Sequence, residues 1–210
     1  MSTDVAGTTW AGTHRFHATA FVEPRTVDEV RRTVRDAPGR VKALGMRHSF
    51  NDLADTDGTL ISLGRIEQSP LVDLTSPADP TVTAPAGMRY GVLGAWLQER
   101  GWALHNTGSL PHISLAGATA TGTHGSGLRN GCQSTALRRI EFVDANGELR
   151  TVRAGQPGFE ALAVGLGAFG IVVEVTLGIQ PTYDLRQDVY IGMPWEVLLT
   201  DTPAILGDAY

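Results

Sequence analysis

The chain has 210 residues, enough for one large domain or two small ones, with 42% hydrophobic and 19% charged residues. Its net charge of −5, with no basic stripe or block, argues against a nucleic-acid partner. No apolar run is long enough to span a bilayer, and the opening MSTDVAGTTW lacks the basic and apolar regions of a secretory signal. With Cys132 the only cysteine, no intramolecular disulfide can form, which fits a reducing cytoplasm.

In chain order, Thr26-Val-Asp-Glu29 is a capping box, followed by an apolar stripe of Val27, Val30 and Val34. Pro38-Gly39 stops this helix. Arg40–Leu44 reads as a strand and Gly45–Gly58 as a long polar loop. Thr59–Leu63 and Leu71–Leu74 are further strands. This β-α-β-β stretch forms an expected first subdomain, residues 1–78.

A second subdomain, residues 79–182, begins with a strand at Thr81–Ala84. A helix over Arg89–Arg100 carries Tyr90, Leu93 and Leu97 on one face, with Gly101 just past its end. Asn106 to Gly131 is rich in Gly, Ser, Thr and Ala. Arg139–Val143 and Leu149–Arg153 flank Asn146-Gly147, a two-residue hairpin signal. Phe159–Val164 suits a short helix and Phe169–Ile179 an apolar, β-branched strand. Residues 183–210 contain a helix at Trp195–Leu199 and run to Tyr210.

Three segments bear on chemistry. Ala43-Leu-Gly-Met-Arg-His-Ser-Phe-Asn51 leaves a strand, and a tight turn at Gly45 would let successive amides form an anion-binding nest beside an accessible His48. A plain turn with a surface histidine fits the same residues. The run from Gly108 to Gly127 has small side chains that allow close backbone approach. Hydroxyls at Ser109, Ser114, Thr119, Thr121 and Thr123 suit phosphates in a chain of negative net charge. The alternative is a flexible linker, but Ile113, Leu115 and Ala120 interrupt the polar run as an ordered element would. Gly165-Leu-Gly-Ala-Phe-Gly-Ile-Val-Val-Glu-Val-Thr-Leu177 leads small residues into a buried strand, and a core strand entered through a turn explains it equally well.

Other chemistries find no support. There is no phosphate-binding G-x-x-x-x-G-K-[ST], no G-x-G-x-x-G between strand and helix, and no G-x-S-x-G around Ser126. His48, His105, His112 and His124 lack metal-ligand spacing, so no metal is expected.

Taken together, Leu-Gly-Met-Arg-His-Ser-Phe-Asn, Gly-Met-Arg-Tyr-Gly, Leu-His-Asn-Thr-Gly-Ser-Leu-Pro-His-Ile-Ser, Ala-Thr-Gly-Thr-His-Gly-Ser-Gly and Leu-Gly-Ala-Phe-Gly-Ile-Val resemble the FAD-binding domain of the vanillyl-alcohol oxidase superfamily. Within it, the alditol (xylitol, sorbitol) oxidases are the most similar. The resemblance spans nearly the whole chain from Trp10-Ala-Gly12 onward. It implies an α+β, PCMH-type FAD-binding domain of two α+β subdomains with FAD between them.

The resemblance also implies site roles. His48 would bond covalently to the 8α-methyl of the flavin. Ala43, Leu44, Gly45, Met46, Arg47, His48 and Ser49 would cradle pyrophosphate and ring. Ser114, Gly117, Ala118, Thr119, Ala120, Thr121, Gly122, Thr123, His124 and Gly125 would form the other wall. Gly170, Ile171 and Val172 would contact the adenosine end, and Ser109 would sit beside the flavin as a catalytic residue. Met46 and Arg47 depart from the smaller residues often found before the histidine. The implied reaction is polyol plus O2 to aldose plus hydrogen peroxide, by hydride transfer to flavin N5. Rival readings are a sugar-1,4-lactone oxidase or dehydrogenase, or a non-catalytic flavin-binding module. Such oxidases carry a substrate domain after the FAD domain. The chain is expected to lack it, and to bind FAD without useful turnover of alditols on its own.

Overall fold

A computed structural model of the chain describes residues 6–189 and 191–207. The signal-peptide reading rests partly on residues 1–5, and these and Tyr210 lie outside the described residues.

The first unit is a small parallel sheet. Strands β1 (Ala20–Val22), β2 (Val41–Ala43) and β3 (Thr59–Ile61) lie in the order β1-β3-β2, with helix α1 (Val27–Asp36) between β1 and β2 in sequence. The expected cap forms: Thr26 Oγ1 accepts from the Glu29 amide at 3.2 Å. The Glu29 carboxylate reaches back to the Arg25 amide at 2.7 Å, one residue before the cap. β3 is the middle strand and is buried throughout. β2 and β3 are adjacent and parallel, so their connection must be long. No helix makes that crossover. Residues 44–58 make it as irregular chain, leaving the carboxyl end of β2, where ligands settle in open α/β sheets.

The second unit is a five-stranded antiparallel sheet. It comprises β4 (Leu71–Asp73), β5 (Thr81–Pro85), β7 (Leu137–Val143), β8 (Leu149–Arg153) and β9 (Ile171–Gly178), in the order β4-β5-β9-β7-β8. Helices α2 (Tyr90–Gln98), α3 (Leu115–Ala120) and α4 (Phe159–Ala163), and a 3-10 turn at Gln133–Ala136, pack around it. Two-residue strands β6 (Trp102–Ala103) and β10 (Gln180–Pro181) pair with each other. A final helix, α5 (Trp195–Gly207), is kinked at Asp201 before Pro203 and has no buried residue.

Several expectations are corrected. β4 is an edge strand of the second sheet, not part of the first unit, because it pairs in register with β5 (Val72 opposite Val82). The β7–β8 turn is not a two-residue one: the Asp144 amide donates to Glu148 O (2.9 Å) and the Gly147 amide to Asp144 O (2.9 Å). That leaves three residues, with Gly147 left-handed at φ 75°. The small-residue stretch contains helix α3. It is capped by Ser114, whose Oγ accepts from the Gly117 amide at 3.3 Å. The C-terminal helix is longer than Trp195–Leu199.

Three apolar clusters hold the molecule together. One lies between the large sheet and α2 to α4, around Val82, Leu93, Leu97, Leu115 and Leu177. A second joins the two units: Val30 and Ile61 of the first pack with Val143, Ile171 and Val173 of the second. Full burial of a side chain such as Ile61 contributes roughly 1.5–3 kcal/mol, so this seam fixes the two sheets relative to each other. Arg31 of α1 adds a hydrogen bond to Gly147 O at 3.1 Å. The third cluster, Ala6, Phe16, Ala18, Leu44 and Leu60, anchors the N-terminal segment.

Candidate active site

Beside this seam, a cleft of about 540 Å³ opens between the two units. The end of β2 supplies Ala43 and the crossover Leu44, Gly45, Met46, Arg47, His48 and Ser49, with Ser62, Leu63 and Gly64 after β3. The second unit supplies Ala86 and Gly87, then Ser114, Gly117, Ala118, Ala120, Thr121 and Thr123, and finally Gly165 through Gly170 with Val172. Among the described residues, the lining has no carboxylate. Its fixed charges are Lys42 and Arg47, a balance that suits a dianion even though the chain is acidic overall.

The two walls nearly touch at Gly45. A Cβ there would lie 2.9 Å from Ser114 Oγ, so a larger residue at 45 would force the Ser114 side chain to shift. The expected turn is made elsewhere: Arg47 takes the left-handed conformation, at φ 63°. Among the described residues, no amide from Gly45 to Ser49 donates to a protein acceptor. A run of such donors around a left-handed residue is an anion-binding arrangement.

The second wall differs from the expectation. The α3 amides are occupied: Leu115 donates to Met88 O (2.9 Å), Ala116 to Ala86 O (3.0 Å) and Gly117 to Ser114 Oγ (3.3 Å). Its hydroxyls are largely spent locally. Thr119 Oγ1 donates to Leu115 O (3.1 Å) and Thr121 Oγ1 to Gly117 O (3.0 Å). This wall therefore offers shape and a small-residue surface, and the crossover offers the donors.

Six candidate residues do not line the cleft. Thr119 and Ile171 are buried in the core. Gly122 turns the chain after α3 at φ 65°. His124 and Gly125 face a separate shallow hollow near Ile205 and Leu206. Ser109 is exposed, on the loop that carries His112. Conversely, Ser62, Gly64, Gly87 and Gly165–Phe169 line the cleft without having been singled out as site residues. The glycines of the third segment were the available signal: Gly167 (φ 74°) and Gly170 (φ 144°) take positive φ, as does Leu166 (φ 53°) beside them.

His48 lies between two rings. Its centroid is 5.3 Å from Trp10 and 4.3 Å from His112. Burial, and then His112, hold its pKa below the ordinary 6.5, which favours the neutral, nucleophilic form of the imidazole.

A wide, carboxylate-free cleft with a donor-rich loop, a small-residue wall and a neutral histidine fits a dinucleotide with a large ring system, FAD among them. The comparisons with known proteins agree. Solvent-stable cholesterol oxidase aligns at a TM-score of 0.74 with 24% identity, over 83% of this chain and 37% of that one. The chain thus shares the α+β fold of that enzyme. Residues 18–153 match the family described as FAD binding domain, and the chain belongs to that family. The alditol oxidase of Streptomyces sp. (strain IKD472 / FERM P-14339) is 36% identical over 99% of this chain and 49% of its own length. A putative D-arabinono-1,4-lactone oxidase of Neurospora crassa is 36% identical over 84% of this chain and 32% of its own. L-Gulonolactone oxidase of Bos taurus is 30% identical over 90% and 43%. The chain spans about half, or less, of the length of these relatives.

Proposed function

We propose that this chain is the FAD-binding part of an FAD-dependent oxidase of sugar alcohols, converting polyol and O2 to aldose and hydrogen peroxide. The carrying observation is the cleft between the two units, lined by the Gly45–Ser49 loop, which carries His48 and whose amides have no protein acceptor among the described residues. The Gly45–Ser49 amides, with Lys42 and Arg47 nearby, would hold the pyrophosphate. His48 would carry the flavin covalently, and the small side chains of α3 and Gly165–Gly170 would admit the rings. When bound, FAD supplies a two-electron acceptor for oxidation of a CH–OH carbon and reduction of dioxygen. His112 positions His48, and Ser109, exposed on the same loop, is the proposed contact on the substrate side. The cytoplasm is the proposed location, where Cys132 stays reduced.

A sugar-1,4-lactone oxidase or dehydrogenase is the second reading, favoured by the lactone-oxidising relatives. The separating experiment adds xylitol, sorbitol and L-gulono-1,4-lactone anaerobically to the FAD-loaded chain, alone and together with a separately expressed substrate domain of an alditol-oxidase relative, and follows flavin bleaching. After air is admitted, peroxide is measured. Bleaching and peroxide with the polyols support the first reading. Bleaching by the lactone alone replaces it with the second.

A further inference from the structure

On the first unit, away from the cleft lining, two histidines and a carboxylate converge. His14 and His17 lie on the N-terminal segment, and Asp55 comes from the crossover between β2 and β3. Asp55 Oδ1 is fixed by two backbone donors, the His17 amide at 2.9 Å and the Thr56 amide at 2.8 Å. Asp55 Oδ2 is left to the imidazoles: His14 Nε2 lies at 2.9 Å and His17 Nδ1 at 2.7 Å. One ligand atom from each residue falls within 4.8 Å of the other two.

From this geometry we infer that His14, His17 and Asp55 form a binding site for a divalent transition-metal ion of the zinc class. Two imidazole nitrogens and one carboxylate oxygen, without thiolate, suit Zn2+ or Co2+ and not the oxygen-seeking Ca2+ or Mg2+. Ligand distances of about 2.0–2.2 Å put ligand atoms roughly 3.3 Å apart in a tetrahedral site, so both imidazole nitrogens must draw back by roughly half an ångström from Asp55 Oδ2. His17 moves readily, since its side chain is 71% exposed. His14 packs edge-on against buried Phe16, with centroids 5.8 Å apart, and a small ring rotation provides its share. Asp55 stays held by the backbone donors. Binding would replace the two N–H···O contacts by coordination, with each neutral imidazole carrying its proton on the other ring nitrogen, Nδ1 of His14 and Nε2 of His17, and with water taking the outward positions. Orienting a ligating carboxylate through its second oxygen is how outer-shell partners tune metal sites.

The consequence is mechanical. The N-terminal segment also touches the His48 loop directly, through the Trp10 amide donating to Arg47 O at 2.8 Å. A metal across His14, His17 and Asp55 would pin that segment to the crossover at a second point. The inference is independent of the substrate reading and of flavin attachment.

The test uses chelator-washed full chain. Zn2+ is titrated by calorimetry, Co2+ by visible absorption, and thermal unfolding is followed with and without Zn2+. The expected results are one Zn2+ per chain, a zinc-dependent rise in Tm, and affinity about tenfold or more weaker in His17→Gln and in His14→Gln. His124→Gln is expected to bind as the parent does. The exposed His17→Gln variant is not expected to unfold, and circular dichroism verifies this. Absence of stoichiometric binding, or unchanged binding in folded His17→Gln, would overturn the site. So would loss of binding in His124→Gln.

Discussion

The rings of His48 and His112 face each other across the junction of the two units, 4.3 Å apart by centroid and tilted by 56°. One comes from the β2–β3 crossover and the other from the loop before α3, so the pair exists only when the two units are docked. His112 is the second cause, after burial, of the lowered His48 pKa. In His112→Leu, the His48 imidazole is expected to titrate higher than in the parent, yet below 6.5, because burial remains. NMR titration of FAD-free protein measures this. An unchanged His48 titration would remove His112 from the environment of the nucleophile.

A second histidine gives stability a pH slope. Burial, and then Arg138, lower the His105 pKa from 6.5, and its Nε2 is buried without a hydrogen-bond partner among the described residues. The folded state therefore binds this proton less readily than the unfolded chain. Stability is full above pH 6.5 and declines as pH falls through 6.5 towards the folded value. Urea unfolding at pH 7.5 and 5.5 should show the loss. His105→Leu should flatten it, leaving the part due to His48, whereas an equally steep slope in that variant would contradict the assignment.

Gly170 enters β9 at φ 144°, and a Cβ there would lie 2.2 Å from Val143 O. Gly155 is also left-handed, at φ 82°, but has open space around its missing Cβ. Gly170→Ala should cost about 3 kcal/mol or more, the upper range for point substitutions. Gly155→Ala should cost about 1 kcal/mol from backbone strain alone. Denaturant midpoints compare the two, and equal costs would show that the contact with Val143 is relieved cheaply.

The elements set by local chemistry were legible in the sequence. Thr26 and Glu29 announce the start of α1, Tyr90, Leu93 and Leu97 the buried face of α2, Asn146-Gly147 the hairpin of β7 and β8, and an apolar, β-branched run the strand β9. Elements made by tertiary pairing were not. β6 and β10 have two residues each and exist only because Trp102 and Pro181 meet. β4 carries no mark of which sheet it joins. α3 was hidden by Gly117 and by β-branched Thr119, poor helix formers stabilised here by the Ser114 cap and by packing. In the site, the His48 loop was readable as a turn with a histidine, but its glycine serves contact with Ser114 and its left-handed residue is Arg47. Asp55 lies 41 residues from His14 and 38 from His17, so no spacing rule could join them.

The small-residue wall is tested by two glycines with different roles. Gly117 lines the cleft, and a Cβ there would meet Ser114 Oγ at 2.8 Å. Gly122 does not line it and is left-handed at φ 65°. Gly117→Val should lower FAD affinity about tenfold or more in folded protein, a loss near 1.4 kcal/mol. Gly122→Val should lower stability while the folded fraction keeps its FAD affinity. Fluorescence titration with FAD, paired with unfolding curves, separates the two. The reverse pattern would move the cleft wall away from α3.

Covalent attachment of FAD at His48 is tested most directly by peptide mapping. The chain is expressed with flavin available, precipitated with acid, digested with trypsin and examined by mass spectrometry. Cleavage after Arg47 and Arg65 gives a peptide beginning at His48. The expected result is a yellow precipitate and one FAD mass on that peptide, fragmenting at His48, with acid-stable colour lost in His48→Ala while extractable FAD remains. Flavin mapped to another peptide, or acid-stable flavin persisting in His48→Ala, would contradict the assignment.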